Sequence, residues 1–347
     1  MPDQTTAPPG LDEALGAVRV LAADRIAYAD EAPIAVAATA GIGPEDALAR
    51  ALQGLLYDRA YTRRDAATRA AANGAALEDS GFLDRLDAAN GAREHWDAGW
   101  VVHQFGPNGQ VFVRKGERER IAVPGAFITD PVPGQSPGMA PTLGASVRLR
   151  APRAAPGAQP GYCVVFGETI DELADGLDLV RLYFNCPADE GPALLGTLSA
   201  ALNRFQVPFQ MKLPAAPSLF GRTDAAVLYL GGRYFPIAAR IIAALRAGWR
   251  LDTPTPLFAR PLWPGIAAAV EPGNGESFGA HRCRLTAEGI VDAWRDGPAD
   301  VPARRAAIAA RFAAVGLDLA RPWLGPGGIE RFHRPQEPSL PKEPSLP

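Results

Sequence analysis

Lysine is rare in this chain, so the positions of the few lysines are informative. Of 35 basic residues only Lys115, Lys212 and Lys342 are lysines. Arginine stays protonated in proteins, whereas burial and neighbouring cations can lower the pKa of a lysine until the amine acts as a base. Lys115 ends a predicted hairpin, and alternation in RFQVPFQMKLP places Lys212 on the opposite strand face from Phe209 and Met211. Both are candidate bases, and an ordinary strand-edge lysine is the alternative for each.

Three arginines lie at predicted strand ends or in predicted loops near Lys212. They are Arg181 in VRLYFN, Arg222 in FGRTDAAVLYL and Arg282 in GNGESFGAHRCR. The planar guanidinium donates to two oxygens at once, so arginine is a common phosphate-binding residue. A converging set of such arginines would form a phosphate pocket, whereas scattered ones would be surface ion-pair residues.

The stretch GNGESFGAHRCR at 273–284 is the second candidate for anion binding. Asn274 and Ser277 lie in a turn rich in backbone N–H groups, and His281 and Arg282 follow where helical periodicity resumes. Unpaired N–H groups and the positive end of a helix dipole favour phosphate or carboxylate. The alternative is a simple turn with His281 at the start of a surface helix.

The three cysteines give little support to metal or thiol chemistry. Cys163, Cys186 and Cys283 have no CxxC spacing, which is typical of reduced structural thiols and predicts no metal site. Cys283 and His281 stand two residues apart on a predicted helix, so their side chains diverge. A Cys–His nucleophile is therefore disfavoured, and Cys283 is interpreted as a small core residue.

The pattern along the chain predicts an α+β fold with a mixed or antiparallel sheet, flanking helices and an N-terminal helical annex. Alternating runs joined by Gly-Pro-Asn-Gly at 100–115 predict a hairpin, and residues 130–160 predict loops around a strand at 145–150. Further strands are predicted at 161–166, 179–185, 208–213 and 224–230. Helices are predicted at 10–29, 44–62, 79–90, 189–204, 233–248, 280–295 and 302–315. The domain boundaries that follow are 1–92 for the helical region, 93–325 for the α+β domain and 326–347 for a Pro-rich, disordered tail with two EPSLP copies.

Composition excludes several classes of protein. The 347 residues contain no apolar run of membrane-spanning length and no export signal at the start, which indicates a cytoplasmic protein without membrane contact. Residues 201–260 carry eight basic and two acidic side chains, which favours an anionic partner. Nucleic acid is disfavoured because no basic helix with interleaved aromatics and no zinc-finger spacing is present.

Five ordered blocks resemble the HopA-type effector/lyase family over about residues 95–295. The blocks are RLYFN (181–185), LNRFQVPFQMK (202–212), RTDAAVLYL (222–230), TPLFARPLWPGIAAA (255–269) and PGNGESFGAHRCRLTAEGIVDAW (272–294). The family includes bacterial type III effectors and the lyases that work with aminoglycoside-phosphotransferase-like kinases in thioamitide and class V lanthipeptide clusters. Residues 1–90 match only as a generic helical region.

The resemblance implies a phosphothreonine or phosphoserine lyase without a cofactor that acts on a ribosomally made (RiPP) precursor peptide. A separate kinase would phosphorylate Ser or Thr, and this chain would eliminate phosphate to leave dehydroalanine or dehydrobutyrine. No Gly-rich nucleotide loop or kinase-type HRD and DFG set occurs in the chain, which fits a separate kinase. The resemblance implies Lys212 as the base and His281 as the acid. It places Arg181, Arg222 and Arg282, with Asn274 and Ser277, around the phosphate, and Lys115 or Tyr183 at the enolate-like carbonyl.

Two other classes of function stay open at this level. The chain could be a non-catalytic partner of the kinase that binds the leader or the phosphopeptide, or an effector-like lyase acting on a phosphoprotein. A phosphatase is a further alternative, although the metal cluster and the Cys-x5-Arg loop of such enzymes are missing from the sequence.

Overall fold

A computed structural model describes residues 8–38, 40–74, 77–131, 140–169, 178–295, 297 and 299–335. Those residues form an α+β protein with eight α-helices and three antiparallel sheets, as the sequence predicts. The helices are α1 (Leu11–Ala17), α2 (Pro44–Leu56), α3 (Ala66–Gly74), α4 (Ser80–Ala89), α5 (Gly191–Arg204), α6 (Phe235–Leu245), α7 (Phe278–Trp294) and α8 (Val301–Ala314). A π-helical turn at Tyr57–Tyr61 continues α2. None of the described helices has both the length and the apolar character needed to cross a membrane.

The largest sheet has seven strands in the order β14-β15-β11-β13-β12-β10-β9. Its strands are β9 (Ala154–Gln159), β10 (Tyr162–Phe166), β11 (Leu179–Phe184), β12 (Gln210–Pro214), β13 (Ala226–Gly231), β14 (Arg260–Trp263) and β15 (Ile266–Val270). Side chains alternate between the two sheet faces, and buried apolar residues such as Leu182, Met211 and Leu228 line one of them. Trp249 packs edge-on against Phe184 on that face. This packing places a large core beneath the central strands.

A second sheet has five strands in the order β6-β5-β4-β8-β7 and encloses a small core around Trp100 and Val113. Its strands are β4 (His95–Phe105), β5 (Val111–Lys115), β6 (Arg118–Ala122), β7 (Phe127–Thr129) and β8 (Ser146–Ala151). The predicted hairpin at 100–115 is confirmed, because β4 and β5 pair around a turn with positive φ at Asn108 and Gly109. Two residues, Pro152 and Arg153, connect this sheet to the seven-stranded one.

The N-terminal region is less helical than predicted. The helix predicted at 10–29 ends at Ala17, and a three-stranded sheet follows with β1 (Val18–Ala22), β2 (Arg25–Tyr28) and β3 (Ile34–Ala35). Val18 and Ile26 are buried in the core, so packing of β-branched side chains decided the conformation against the helical periodicity. The prediction was therefore wrong over its second half.

Two other segments differ from their predictions. Residues 154–159, predicted as loop, form strand β9 because they pair with β10 despite their Ala, Pro and Gly content. The hairpin of β14 and β15, turned at Gly265 with φ of 71°, was not predicted. Of the predicted tail, residues 336–347 lie outside the described residues, while Phe332 is buried against Phe235 at a ring distance of 5.0 Å.

Candidate functional site

One face of the seven-stranded sheet collects most of the polar side chains around Lys212. Strand register places Tyr183, Val227, Lys212 and Val164 in one cross-strand row of β11, β13, β12 and β10. The adjoining row contains Arg181, Tyr229, Gln210 and Phe166. Tyr162 lies on the same face one step further along β10. We call this surface the Lys212 face. Because cross-strand neighbours share a face, the register alone brings Lys212 and Arg181 together.

Lys212 is half-buried, and burial together with two neighbouring cations favours its neutral amine. Its Nζ lies 3.6 Å from the centre of the Tyr162 ring, a contact that by itself favours the protonated form. Burial first, and then the positive charges of Arg222 and Arg181, lower the pKa of Lys212 to about 8, against a raising effect of Asp224. Within the described part of the chain no carboxylate forms an ion pair with this lysine. A substantial fraction of the amine is therefore unprotonated at mildly alkaline pH.

Arg222 and Asp224 form a buried ion pair beside Lys212. Arg222 donates from Nε to Asp224 Oδ1 at 2.5 Å and from Nη2 to Oδ2 at 2.8 Å. Its Nη1 donates to the Tyr162 hydroxyl at 2.9 Å, and its Nη2 also donates to the Tyr57 hydroxyl at 3.3 Å. Because nearly all of its N–H groups are engaged, Arg222 holds Tyr162 and adds positive charge near Lys212. The direct phosphate contact expected of it would require these bonds to break.

Arg181 lies on the Lys212 face next to the same cluster. It pairs with Glu271, which follows β15, and its guanidinium stacks on Tyr229 at 5.0 Å from the ring centre. Both charged side chains are mostly buried, at 13% and 14% exposed. Glu271 accepts from Arg181 Nε and Tyr183 interacts with the same guanidinium, so a second anion would have to bind through the remaining N–H donors.

Tyr183 shares the row of Lys212 but is fully buried. Tyr61 and Phe278 pack against its ring at centroid distances of 6.5 Å and 6.3 Å. Burial raises the pKa of Tyr183 to about 12, against the lowering effect of Arg181. Tyr61 and Arg181 are the polar neighbours of its hydroxyl, but among the described residues neither is placed to form a well-aligned hydrogen bond with it. Because Tyr183 is 1% exposed, a substrate does not reach its hydroxyl in this conformation.

His281 and Arg282, expected as acid and phosphate ligand, are part of the packing of α7. Arg282 is 1% exposed, and it donates to the carbonyl oxygens of Pro322 at 2.8 Å and Leu324 at 2.9 Å. It also contacts His281 Nδ1. Burial and the Arg282 charge lower the pKa of His281 to about 4, so the ring is neutral near pH 7. A neutral imidazole and a committed guanidinium do not fit the expected roles, and we leave both residues out of the site.

The side chains of Asn274 and Ser277 satisfy their own turn. Asn274 Oδ1 accepts from the Glu276 N–H at 3.1 Å, and Ser277 Oγ accepts from the Ala280 N–H at 3.3 Å as the N-cap of α7. Glu276 pairs with Arg284 in the same region. A capped helix start with a carboxylate beside it is a poor phosphate site. The turn interpretation fits these residues better than the anion-binding one.

Lys115 lies in the other sheet, on β5, and not on the Lys212 face. Its Nζ donates to Asp97 Oδ1 at 2.5 Å, and Asp97 also accepts from the Trp100 indole at 2.7 Å. The ion pair ties β5 to β4. We therefore assign Lys115 a structural role in place of the carbonyl contact.

Neither a metal nor a reactive thiol is indicated in the described residues. No group of three or more His, Cys, Asp or Glu side chains among them could hold a metal ion. Cys163, Cys186 and Cys283 are buried free thiols. Burial raises the pKa of Cys283 well above its usual value, which disfavours a thiolate nucleophile.

Sequence reasoning missed three residues of the cluster: Tyr162, Asp224 and Glu271. The Arg-x-Asp spacing in GRTDAAV, directly before a buried strand, was a usable signal for the Arg222–Asp224 pair. Glu271 follows a strand that was not predicted, so its position against Arg181 could not be inferred. The proximity of Tyr162 to Lys212 depends on the register of β10 against β12, which the sequence does not indicate.

Comparison with known proteins gives a limited set of similarities. No curated protein matches the chain. One similar solved structure is the effector protein from Pseudomonas syringae pv. tomato strain DC3000, with 18% identity, 83% of this chain, 91% of that chain and a TM-score of 0.41. Another is the effector protein from Pseudomonas syringae pv. syringae strain 61, with 15% identity, 80% of this chain, 94% of that chain and a TM-score of 0.40. Residues 153–324, which include Tyr162, Arg181 and Lys212, match the HopA1 effector protein family.

Proposed function

We propose that this chain is a phosphoserine or phosphothreonine lyase that eliminates phosphate from a precursor peptide after a separate kinase has phosphorylated it. The observation that carries the proposal is the half-buried Lys212, with a pKa lowered to about 8, on one sheet face with Arg181. A base and a nearby guanidinium are the two groups that β-elimination of phosphate needs first. The product would carry dehydroalanine or dehydrobutyrine.

The proposed step uses Lys212 as the base. The lone pair on Nζ takes the α proton of the phosphorylated residue, the C–H electron pair forms the Cα=Cβ bond, and the Cβ–O bond breaks. Phosphate leaves with the electron pair of that bond, and Arg181 stabilises its negative charge through free N–H donors. A bound phosphate dianion raises the pKa of Lys212, and the charges of Arg181 and Arg222 counter this effect.

The mass of the product tests the reaction type. A synthetic phosphothreonine peptide incubated with the chain alone is expected to become one water lighter than its unphosphorylated form. Restoration of the unphosphorylated mass would indicate a phosphatase, and an unchanged phosphopeptide would contradict catalysis and leave a binding role to be measured as affinity. Unphosphorylated peptide with ATP is expected to stay unchanged until the kinase is added.

A second candidate function is the same elimination on a phosphoprotein. The match of residues 153–324 to the HopA1 effector protein family motivates it, since the family is named for effector proteins and not for peptide-modifying enzymes. The two candidates differ in substrate and not in chemistry. Comparing kcat/KM for a phosphopeptide and for a folded phosphoprotein with the same local sequence would separate them.

A further inference from the structure

A cavity of about 210 Å³ lies at the junction of the two larger sheets, beside the Lys212 face. Phe166 and Gln210, which form part of the row next to Lys212, line one side of it. Residues of β4, β6 and β8 line the other side, among them Asp97, Arg120 and Leu149. The cavity therefore borders the Lys212 face through Phe166 and Gln210, although neither Lys212 nor Arg181 lines it.

Among the described residues, the side chains around this cavity leave one positive charge without a carboxylate partner, which favours an anionic ligand. The Asp97 carboxylate already binds Lys115 at 2.5 Å and the Trp100 indole at 2.7 Å. Arg150, also at the cavity, pairs with Glu94. Arg120 is exposed on β6 and stacks over Trp100 at 5.5 Å from the ring centre, and within the described residues no carboxylate contacts it. Its guanidinium is thus available to a ligand in the cavity.

The spacing fits a peptide that extends away from Lys212. Gln210 and Lys212 are two residues apart on the same strand face, and an extended chain advances about 3.3 Å per residue. A substrate peptide with its phosphorylated residue at Lys212 reaches the cavity with the residue two to four positions away. Apolar walls from Phe166 and Leu149 accept the stem of that side chain, and Arg120 faces its end.

We propose that this junction cavity is a specificity subsite for the substrate peptide, in which Arg120 selects an acidic side chain two to four residues from the phosphorylated one. The inference rests on the proposed function for the identity of the peptide. It adds a binding preference that the chemistry at Lys212 does not require.

The test uses peptides that bind but cannot react. In each fluorescein-labelled probe a phosphonate with a methylene in place of the bridging oxygen replaces the phosphothreonine, so no elimination follows. A single Glu or Lys is placed at each position from two to four residues on either side, in an alanine and glycine background. Fluorescence anisotropy gives the Kd for the wild-type chain, Arg120→Glu and Arg120→Lys. The matched control is Arg114→Glu, on exposed Arg114 of neighbouring β5.

At one of the varied positions the wild type is expected to bind the Glu probe about threefold to tenfold more tightly than the Lys probe. This is the size of effect expected from one partly exposed contact between charged groups. Arg120→Glu is expected to reverse this preference, while Arg120→Lys and Arg114→Glu keep it. An unchanged preference in Arg120→Glu, a wild type without any positional preference, or no binding at all would overturn the inference. The reactive phosphothreonine peptides are tested separately for elimination. If the chain prefers the Glu probe but eliminates no phosphate, the proposed function is refuted and the subsite is not. If it eliminates phosphate but shows no preference for Glu, only the subsite is refuted.

Discussion

The amine of Lys212 lies 3.6 Å from the centre of the Tyr162 ring, while Arg222 holds the hydroxyl of that tyrosine at 2.9 Å. The ring supports the amine from below, and the buried Arg222–Asp224 pair binds the ring hydroxyl through Arg222. Among the described residues no carboxylate contacts the lysine. Such a contact would have favoured the protonated amine.

Removing the ring is expected to lower turnover more than removing the hydroxyl. Tyr162→Phe keeps the surface under Lys212, and we expect kcat to stay within about threefold of wild type. Tyr162→Ala frees the lysine, and a loss of about tenfold or more in kcat is expected, since misplacing a reacting group by a small distance is costly. Steady-state kinetics on a phosphothreonine peptide measures both. Equal losses in the two variants would argue against a role for the ring.

The pH dependence of kcat/KM is expected to follow the lysine. Lys212 must be unprotonated to act as a base, and its pKa is about 8. Therefore kcat/KM should rise about tenfold per pH unit below that value and level off above it. The second ionisation of the substrate phosphate, near pH 6, lies lower and can be separated. A profile that is flat from pH 6.5 to 9, or falls with pH, would contradict the assignment.

His281 is expected to affect stability and not chemistry. Burial and Arg282 lower its folded-state pKa to about 4, below the ordinary value of 6.5. The unfolded chain then binds a proton that the folded chain does not, so stability is complete above pH 6.5 and is lost as pH falls towards 4. We expect this loss to be about 1 to 2 kcal/mol after allowance for partial hydration.

Urea unfolding at pH 7.5 and 4.5 measures that difference. In His281→Gln the part of the pH dependence due to the imidazole is expected to disappear, while turnover at pH 8 changes little. A variant that retained the full pH dependence of stability but lost elimination would restore His281 as the candidate acid.

The Arg222–Asp224 pair is expected to be important for folding. Asp224→Asn leaves the buried Arg222 charge without its counterion, and we expect a loss of about 3 to 5 kcal/mol in the free energy of unfolding. The matched control is Asp189→Asn, which removes an exposed ion pair with Arg250 and should leave that free energy nearly unchanged. Chemical denaturation compares the two. Similar behaviour of the variants would mean that the buried pair contributes little.

Strand periodicity was sufficient to predict the α+β class and the opposite-face placement of Lys212 and Met211, because side chains in a strand alternate. It could not predict which strands are neighbours. The order β11-β13-β12-β10, which brings Arg181 and Tyr162 to Lys212, depends on long-range pairing. The burial of Arg282 could not be predicted either. Its side chain donates to the carbonyl groups of Pro322 and Leu324, and nothing in the local sequence distinguishes it from an exposed helical arginine.

The most direct test of the central claim is elimination by Lys212 variants. Lys212→Ala and Lys212→Arg are compared with the wild type on a phosphothreonine peptide, with product mass as the readout and binding of the non-reactive phosphonate probe as the control for folding. We expect both variants to lose elimination while binding stays within about tenfold, because a missing base affects the transition state more than the ground state. Near-normal formation of the dehydrated peptide by either variant would contradict the assignment of Lys212 as the base.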